Sequence, residues 1–222
     1  MKKLLTILFA LSLFCTSAFT KENYKGDVQL HFGVDFDFTQ FNVQNLITDN
    51  NSFIINADVS TTHLWGSNPV LKFGFMVDYY LGFGSSTKNS AYTSDDKASI
   101  SFNTGMFVGP CFGFNFGNAL RLDLTPGISL VALNLDSYHN SVLSEYRFTG
   151  TTAAGIGLDL KAKFTPNSAV SPVIGYRYTA NFATAFFQYT YDGSSSNAAT
   201  LISAKEVILQ QHYIYAGISW NW

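Results

Sequence analysis

The sequence predicts an all-β protein: an eight-stranded antiparallel up-and-down transmembrane barrel behind a cleaved signal peptide. Three observations predict it. Large apolar side chains recur at every second position through eight segments. The connections between these segments alternate between short and long. The chain is 16% aromatic and only 13% charged, yet beyond its N-terminal segment it has no apolar run of about 18 residues that could cross a membrane as a helix.

The first element is "MKKLLTILFALSLFCTSAFT". Lys2 and Lys3 supply positive charge, Leu4 to Phe14 an apolar run, and Thr16-Ser17-Ala18 a small-residue cleavage site. Residues 1–18 therefore read as a signal peptide and residues 19–222 as one barrel domain. Phe14 fits poorly with lipid attachment at Cys15. Removing Lys2 and Lys3 from the 13 basic residues leaves 11 against 15 acidic, a net charge of −4. No basic patch exists, which argues against a nucleic-acid partner. Only Cys111 remains after cleavage, so an intrachain disulfide is excluded.

The first strand is "DVQLHFGVDFDF". Val28, Leu30, Phe32, Val34, Phe36 and Phe38 alternate with Asp27, Gln29, His31, Gly33, Asp35 and Asp37. Such a period-two pattern gives one apolar and one polar face. The second sets Phe53, Ile55, Ala57 and Val59 against Asn56, Asp58, Ser60 and Thr62. The third sets Leu71, Phe73, Phe75, Val77, Tyr79, Leu81 and Phe83 against Lys72, Gly74, Asp78 and Gly82. The fourth sets Ile100, Phe102, Met106, Val108, Phe112, Phe114 and Phe116 against Ser101, Asn103, Gly105, Gly109 and Gly113. The fifth sets Leu120, Leu122, Leu124, Ile128 and Leu130 against Arg121, Asp123, Gly127 and Ser129. In the sixth, Ile156, Leu158, Leu160 and Phe164 oppose Gly155, Asp159 and Lys161. In the seventh, Val170, Ile174, Tyr176, Tyr178 and Phe182 oppose Ser171, Gly175, Arg177 and Asn181. In the eighth, Ile214, Ala216, Ile218, Trp220 and Trp222 oppose Tyr213, Gly217 and Ser219. Pro110, Pro126 and Pro172 fall within three of these strands and predict bulges or local disruptions.

"GSNP", "GN" and "TPNS" make three short turns, whereas the other connections are long polar stretches such as "SSTKNSAYTSDDKA". A barrel threaded from the periplasm sorts its loops this way, with long loops extracellular and both termini periplasmic. Tyr24, Trp65, Phe116, Phe164, Trp220 and Trp222 gather at the short-turn end. Phe38, Phe41, Tyr79, Tyr80, Phe83, Tyr146, Phe148, Phe186 and Phe187 gather at the other, so two aromatic girdles are expected. The apolar face then meets lipid, because eight strands enclose too little space for so many large side chains.

The polar face supplies the candidate site. Asp35, Asp58 and Asp78 fall at similar mid-barrel heights on three adjacent strands, with Arg177 able to reach them across the lumen. Asp27, His31, Lys72, Arg121, Asp123, Asp159, Lys161 and Lys163 form a mixed-charge network lower down. Paired charges filling a closed barrel are one reading; a cation-attracting constriction is the other. Inward Phe107, Val131, Leu133 and Val173 offer slight support for an apolar path. Loop residues such as Leu46, Ile47, Tyr92, Tyr138, Leu143, Tyr189, Tyr191 and Leu201 could bind a ligand or pack on one another.

Catalytic signals are poor. His139, Ser141 and Glu145 lie in a polar outer connection, the four histidines are scattered, and no Cys/His spacing suits zinc. No enzyme activity and no cofactor are expected.

The ending "YAGISWNW" resembles the terminal recognition signal of bacterial outer-membrane barrels, in Gly217, Trp220 and Trp222, with Trp222 in place of the usual Phe. With eight alternating strands before it, the chain resembles the small eight-stranded outer-membrane barrels: the OmpA membrane domain, OmpX and OmpW. Its sparse charge, abundant Phe and Trp ending are also similar to small spirochaetal outer-membrane barrels. The resemblance implies insertion by the barrel assembly machinery into the lipids of the outer membrane. It leaves two functional expectations open. One is an OmpW-like narrow channel or small-solute uptake protein, including for hydrophobic molecules. The other is a non-conducting surface or structural barrel whose long loops bind a ligand.

Overall fold

The computed structural model describes residues 24–41, 49–88, 96–97, 99–140, 145–191, 196–202 and 207–222. The predicted signal peptide, and Leu46, Ile47, Tyr92, Ser141 and Leu143, lie outside the described residues. The strands are β1 (Lys25–Phe41), β2 (Asp49–Trp65), β3 (Leu71–Lys88), β4 (Asp96–Lys97), β5 (Ser99–Phe116), β6 (Leu120–Asn140), β7 (Glu145–Phe164), β8 (Val170–Tyr191), β9 (Ser196–Ile202) and β10 (Val207–Asn221). Eight of them form the wall in the order β1-β2-β3-β5-β6-β7-β8-β10, each antiparallel to its neighbours. β10 pairs with both β8 and β1, so the sheet closes on itself and has no free edge. β4 and β9 are short additions alongside β6 and β8.

Alternation decides the two faces. Phe32, Ile55 and Ile156 point outward, 59%, 61% and 68% exposed, while Asp27, His31, Asp58, Asp78, Asp159 and Arg177 are buried inside. A wall that is apolar outside and charged inside suits lipid as the surrounding solvent. The three short turns each contain one residue at positive φ: Gly66 (138°), Gly117 (63°) and Thr165 (49°). The first two are glycines, which adopt such angles without steric cost.

One expectation holds in part and two need correction. Pro110 and Pro126 interrupt hydrogen bonding but do not shift the register: Val108 still faces Ile128 and Phe112 still faces Leu124. Pro172 pairs in register with Ile218. The register shifts between wall strands lie elsewhere, at one extra residue in β6 (Ala132) and one in β8 (Thr184), and β9 adds another against β8. The Ala132 bulge changes which side chains point inward: Asn134 and Asp136 enter the lumen, and Leu133 does not. Tyr80, grouped above with the outer aromatics, is also buried in the lumen because it shares the parity of Asp78.

Among the described residues the wall is uneven in height: β6, β7 and β8 have 21, 20 and 22 residues, against 17 in β1 and β2, and β9 lines the far end of β8 beyond β10. The short-turn ends are nearly flush, with Leu120 opposite both Phe116 and Phe164. The extra length therefore stands at the long-loop end. At ~3.3 Å per residue and a tilt of about 40°, β8 rises roughly 55 Å, about twice the apolar band of a barrel of this kind.

Candidate functional site

Inward-facing residues from all eight wall strands fill the lumen in tiers. Nearest the short turns, Arg121 donates through Nε and Nη2 to the two oxygens of Asp123, both at 2.8 Å. Arg121 Nη2 also donates to Asp27 Oδ2 at 3.0 Å, and Lys163 Nζ reaches the same oxygen at 2.5 Å. The register sets these neighbours, since Arg121 lies opposite Lys163 and Asp123 opposite Lys161. Two carboxylates and two cations balance here, as burial requires.

The second tier centres on Arg177. Its Nη1 lies 2.9 Å from Asp78 Oδ1, and its Nη2 donates to Asp58 Oδ2 at 3.2 Å. The rings of Tyr213, Tyr80 and Phe107 surround the guanidinium at 5.1, 5.4 and 5.5 Å, distances suited to cation–π attraction. Asp159 lies opposite Arg177 on β7 and accepts a hydrogen bond from Tyr215 at 2.9 Å. His31 stacks on Tyr215 with centroids 4.6 Å apart. Arg177, Asp58 and Asp78 are 4%, 0% and 2% exposed, so water has almost no contact with them. Phe107 also joins Leu64, Met76 and Cys111 in an apolar cluster, and Lys161 Nζ donates to Met76 Sδ at 3.2 Å.

The third tier is carboxylate and amide. Asn56 and Asn103 donate to Asp35 Oδ2 at 3.1 and 3.4 Å, while Asn134 and Gln211 reach Asp37 at 3.4 and 3.3 Å. Above it, Ser52 and Ser101 donate to Asp136. Between the second and third tiers lies a cavity of about 10 Å³, lined by Asp35, Tyr80, Arg177, Thr179, Gln211 and Tyr213. That is room for one water.

The structure brings Asp58, Asp78 and Arg177 into contact but places Asp35 in the tier above, held by amides. Of the lower residues, Asp27, Arg121, Asp123 and Lys163 bond one another directly. Lys72 stands apart, donating to the Gly66 carbonyl at 2.7 Å in a short turn, because it is the second residue of its strand. His31 and Asp159 belong to the Arg177 tier. The sequence reading missed the sealing rings of Tyr80, Tyr213 and Tyr215, and the acceptors Asp37 and Asp136. Continued alternation placed Asp37, Tyr80 and Tyr215 inside; Asp136 enters only through the Ala132 bulge. The side chains of His139 and Glu145, with Ser141, lie outside the described residues.

No protein-family model and no curated protein matches the sequence. Solved structures do match in fold. A major outer membrane protein from Thermus thermophilus aligns with a TM-score of 0.51 at 11% identity, covering 87% of this chain and 99% of that one. The outer membrane protease OmpT from Escherichia coli aligns at 0.49 and 10% identity, covering 92% and 98%. Neisserial surface protein A aligns at 0.43 and 17% identity, covering 88% and 96%. At such identities the likeness is one of fold: this chain is a small outer-membrane-type β-barrel.

Proposed function

We propose that this barrel sits in an outer membrane as a sealed anchor and holds up the tall half of its wall as a surface for a ligand. The short turns and both termini then face the periplasm, and the long connections face outward. Gly217, Trp220 and Trp222 serve as the assembly signal, lipid surrounds the apolar face, and no catalysis is assigned.

The observation that carries this reading is the Arg177 tier. A guanidinium bound to two carboxylates and ringed by three aromatic side chains leaves no width for a solute. The uneven wall supports the second half of the reading, since β6 to β8 outrun the membrane on one side. A narrow channel or small-solute uptake protein is the second reading. It is favoured by charge: eight aspartates are buried against four basic side chains among the described residues.

Planar-bilayer recording on the refolded mature protein separates them. The sealed reading expects a silent wild type and conductance steps only when Arg177→Gly removes the side chain filling the lumen. Steady wild-type conductance, altered in ion selectivity by Asp78→Asn, would overturn it.

A further inference from the structure

A chain of hydrogen bonds fixes the proton on His31. Lys163 and Arg121 hold Asp27 as a carboxylate. Asp27 Oδ1 accepts from Gln29 Nε2 at 2.5 Å, and the same amide nitrogen reaches Thr62 Oγ1 at 3.2 Å. The Gln29 amide oxygen is therefore turned toward His31, 2.9 Å from its Nε2. An amide oxygen only accepts, so Nε2 carries the hydrogen. In the neutral ring Nδ1 is then a bare lone pair.

That lone pair is buried without a hydrogen-bond partner. It faces Asp78 Oδ2 at 3.9 Å. Two electron-rich atoms thus oppose each other in a closed interior, which is unfavourable unless something positive lies between them. The separation exceeds a direct N–H···O bond of about 2.7–3.2 Å. It falls within the reach of two ligand–metal bonds of about 2.0–2.2 Å each.

Asp58 is the cross-strand partner of His31. One ligand atom from each of His31, Asp58 and Asp78 lies within 4.8 Å of the others. Arg177 takes Asp58 Oδ2 and Asp78 Oδ1, which orients both carboxylates and leaves Asp78 Oδ2 turned toward His31. The three residues come from adjacent strands β1, β2 and β3, a rigid support for a first coordination shell. The His31 Nε2–H bond to Gln29 is the outer-shell contact that metal-binding histidines normally make. Among the described residues eight buried aspartates face four buried Lys and Arg side chains, an excess that protons or a bound cation must balance.

We propose that His31, Asp58 and Asp78 bind one divalent first-row transition-metal ion, of which Zn²⁺ is the best match to one imidazole and two carboxylates. The ion cross-links three wall strands from inside and adds to the seal around Arg177. Gln29 is a positioning residue for it.

The test uses the full mature barrel refolded with Zn²⁺, dialysed against metal-free detergent buffer and analysed for bound metal. About one equivalent is expected in the wild type, and next to none in His31→Phe. Gln29→Met should weaken affinity about 10–100-fold. Co²⁺ loading should give visible absorption bands that Zn²⁺ displaces. Imidazole ¹⁵N resonances of the wild-type protein alone provide a readout independent of any variant's folding. Coordinated Nδ1 supports the site; a doubly protonated ring in Zn²⁺-loaded protein means that a proton fills the gap, and overturns it. Equal binding by His31→Phe, or no retained Zn²⁺ in the wild type, also overturns it.

Discussion

Replacing Arg177 with Met is the sharpest test of the sealed lumen. Methionine keeps only the aliphatic stem, so the cation–π contacts of the guanidinium with Tyr80, Phe107 and Tyr213 are lost. Also lost is the positive charge between Asp58 and Asp78, 3.2 and 2.9 Å away. Stranding a buried carboxylate by removing its partner costs about 3–5 kcal/mol. Two are stranded here, although one proton shared between them would soften the second loss. We expect about 4 kcal/mol of destabilisation, nearly three powers of ten in the folding equilibrium. Adding Asp78→Asn removes one stranded charge, so the double variant should be more stable than the sum of single losses by about 1–3 kcal/mol. Reversible urea unfolding of the metal-free protein in lipid vesicles measures this through Trp65, Trp220 and Trp222, which lie at the short-turn end. A loss below about 1 kcal/mol for Arg177→Met, or strict additivity with Asp78→Asn, would show that the cluster is not a buried, mutually dependent unit.

Phe32→Arg puts a charge on the lipid face and should cost about 2–4 kcal/mol in vesicles, whereas Gln40→Arg, near the outer end of the same strand, should cost about 0–1; equal costs would refute the lipid-facing assignment. Cys111 is buried among Leu64, Met76 and Phe107, so a water-soluble maleimide should label it only after unfolding, as read by mass spectrometry. Deleting Ala132 removes the β6 bulge and leaves strict alternation, with Leu133 still outward and Asn134 and Asp136 still inward, so refolding yield on heat-modifiability gels should largely survive, while deleting Leu122 in a regular stretch of the same strand turns either Arg121 or Asp123 toward lipid and should collapse it. Gly217→Val brings a side chain against the Leu30 carbonyl and the His31 ring, so it should impair refolding even in pure lipid, where no assembly machinery reads the terminal signal.

The strands and their two faces were legible in the residues alone. The pleat has a period of two, so the environment of each side chain is recorded locally, in whether its neighbours at i±2 are apolar or polar. Phe32 outward and Asp35 inward followed from that, as did the closed wall, because a sheet with an apolar outer face and no helix to cover it has nowhere else to go. What local pattern does not record is which inward side chains meet across the lumen. That depends on register summed over several strand pairs, on tilt, and on single extra residues such as Ala132 and Thr184, which leave no period of their own. Asp35 and Asp78 stand level when counted along their strands, yet only Asp78 reaches Arg177. His31, Asp58 and Asp78 are far apart along the chain with no shared motif, and only closure of the barrel turns them toward one point. The sequence determined what each face is made of; the tertiary structure decided who meets whom, because contacts across a barrel are set by geometry accumulated around its whole circumference.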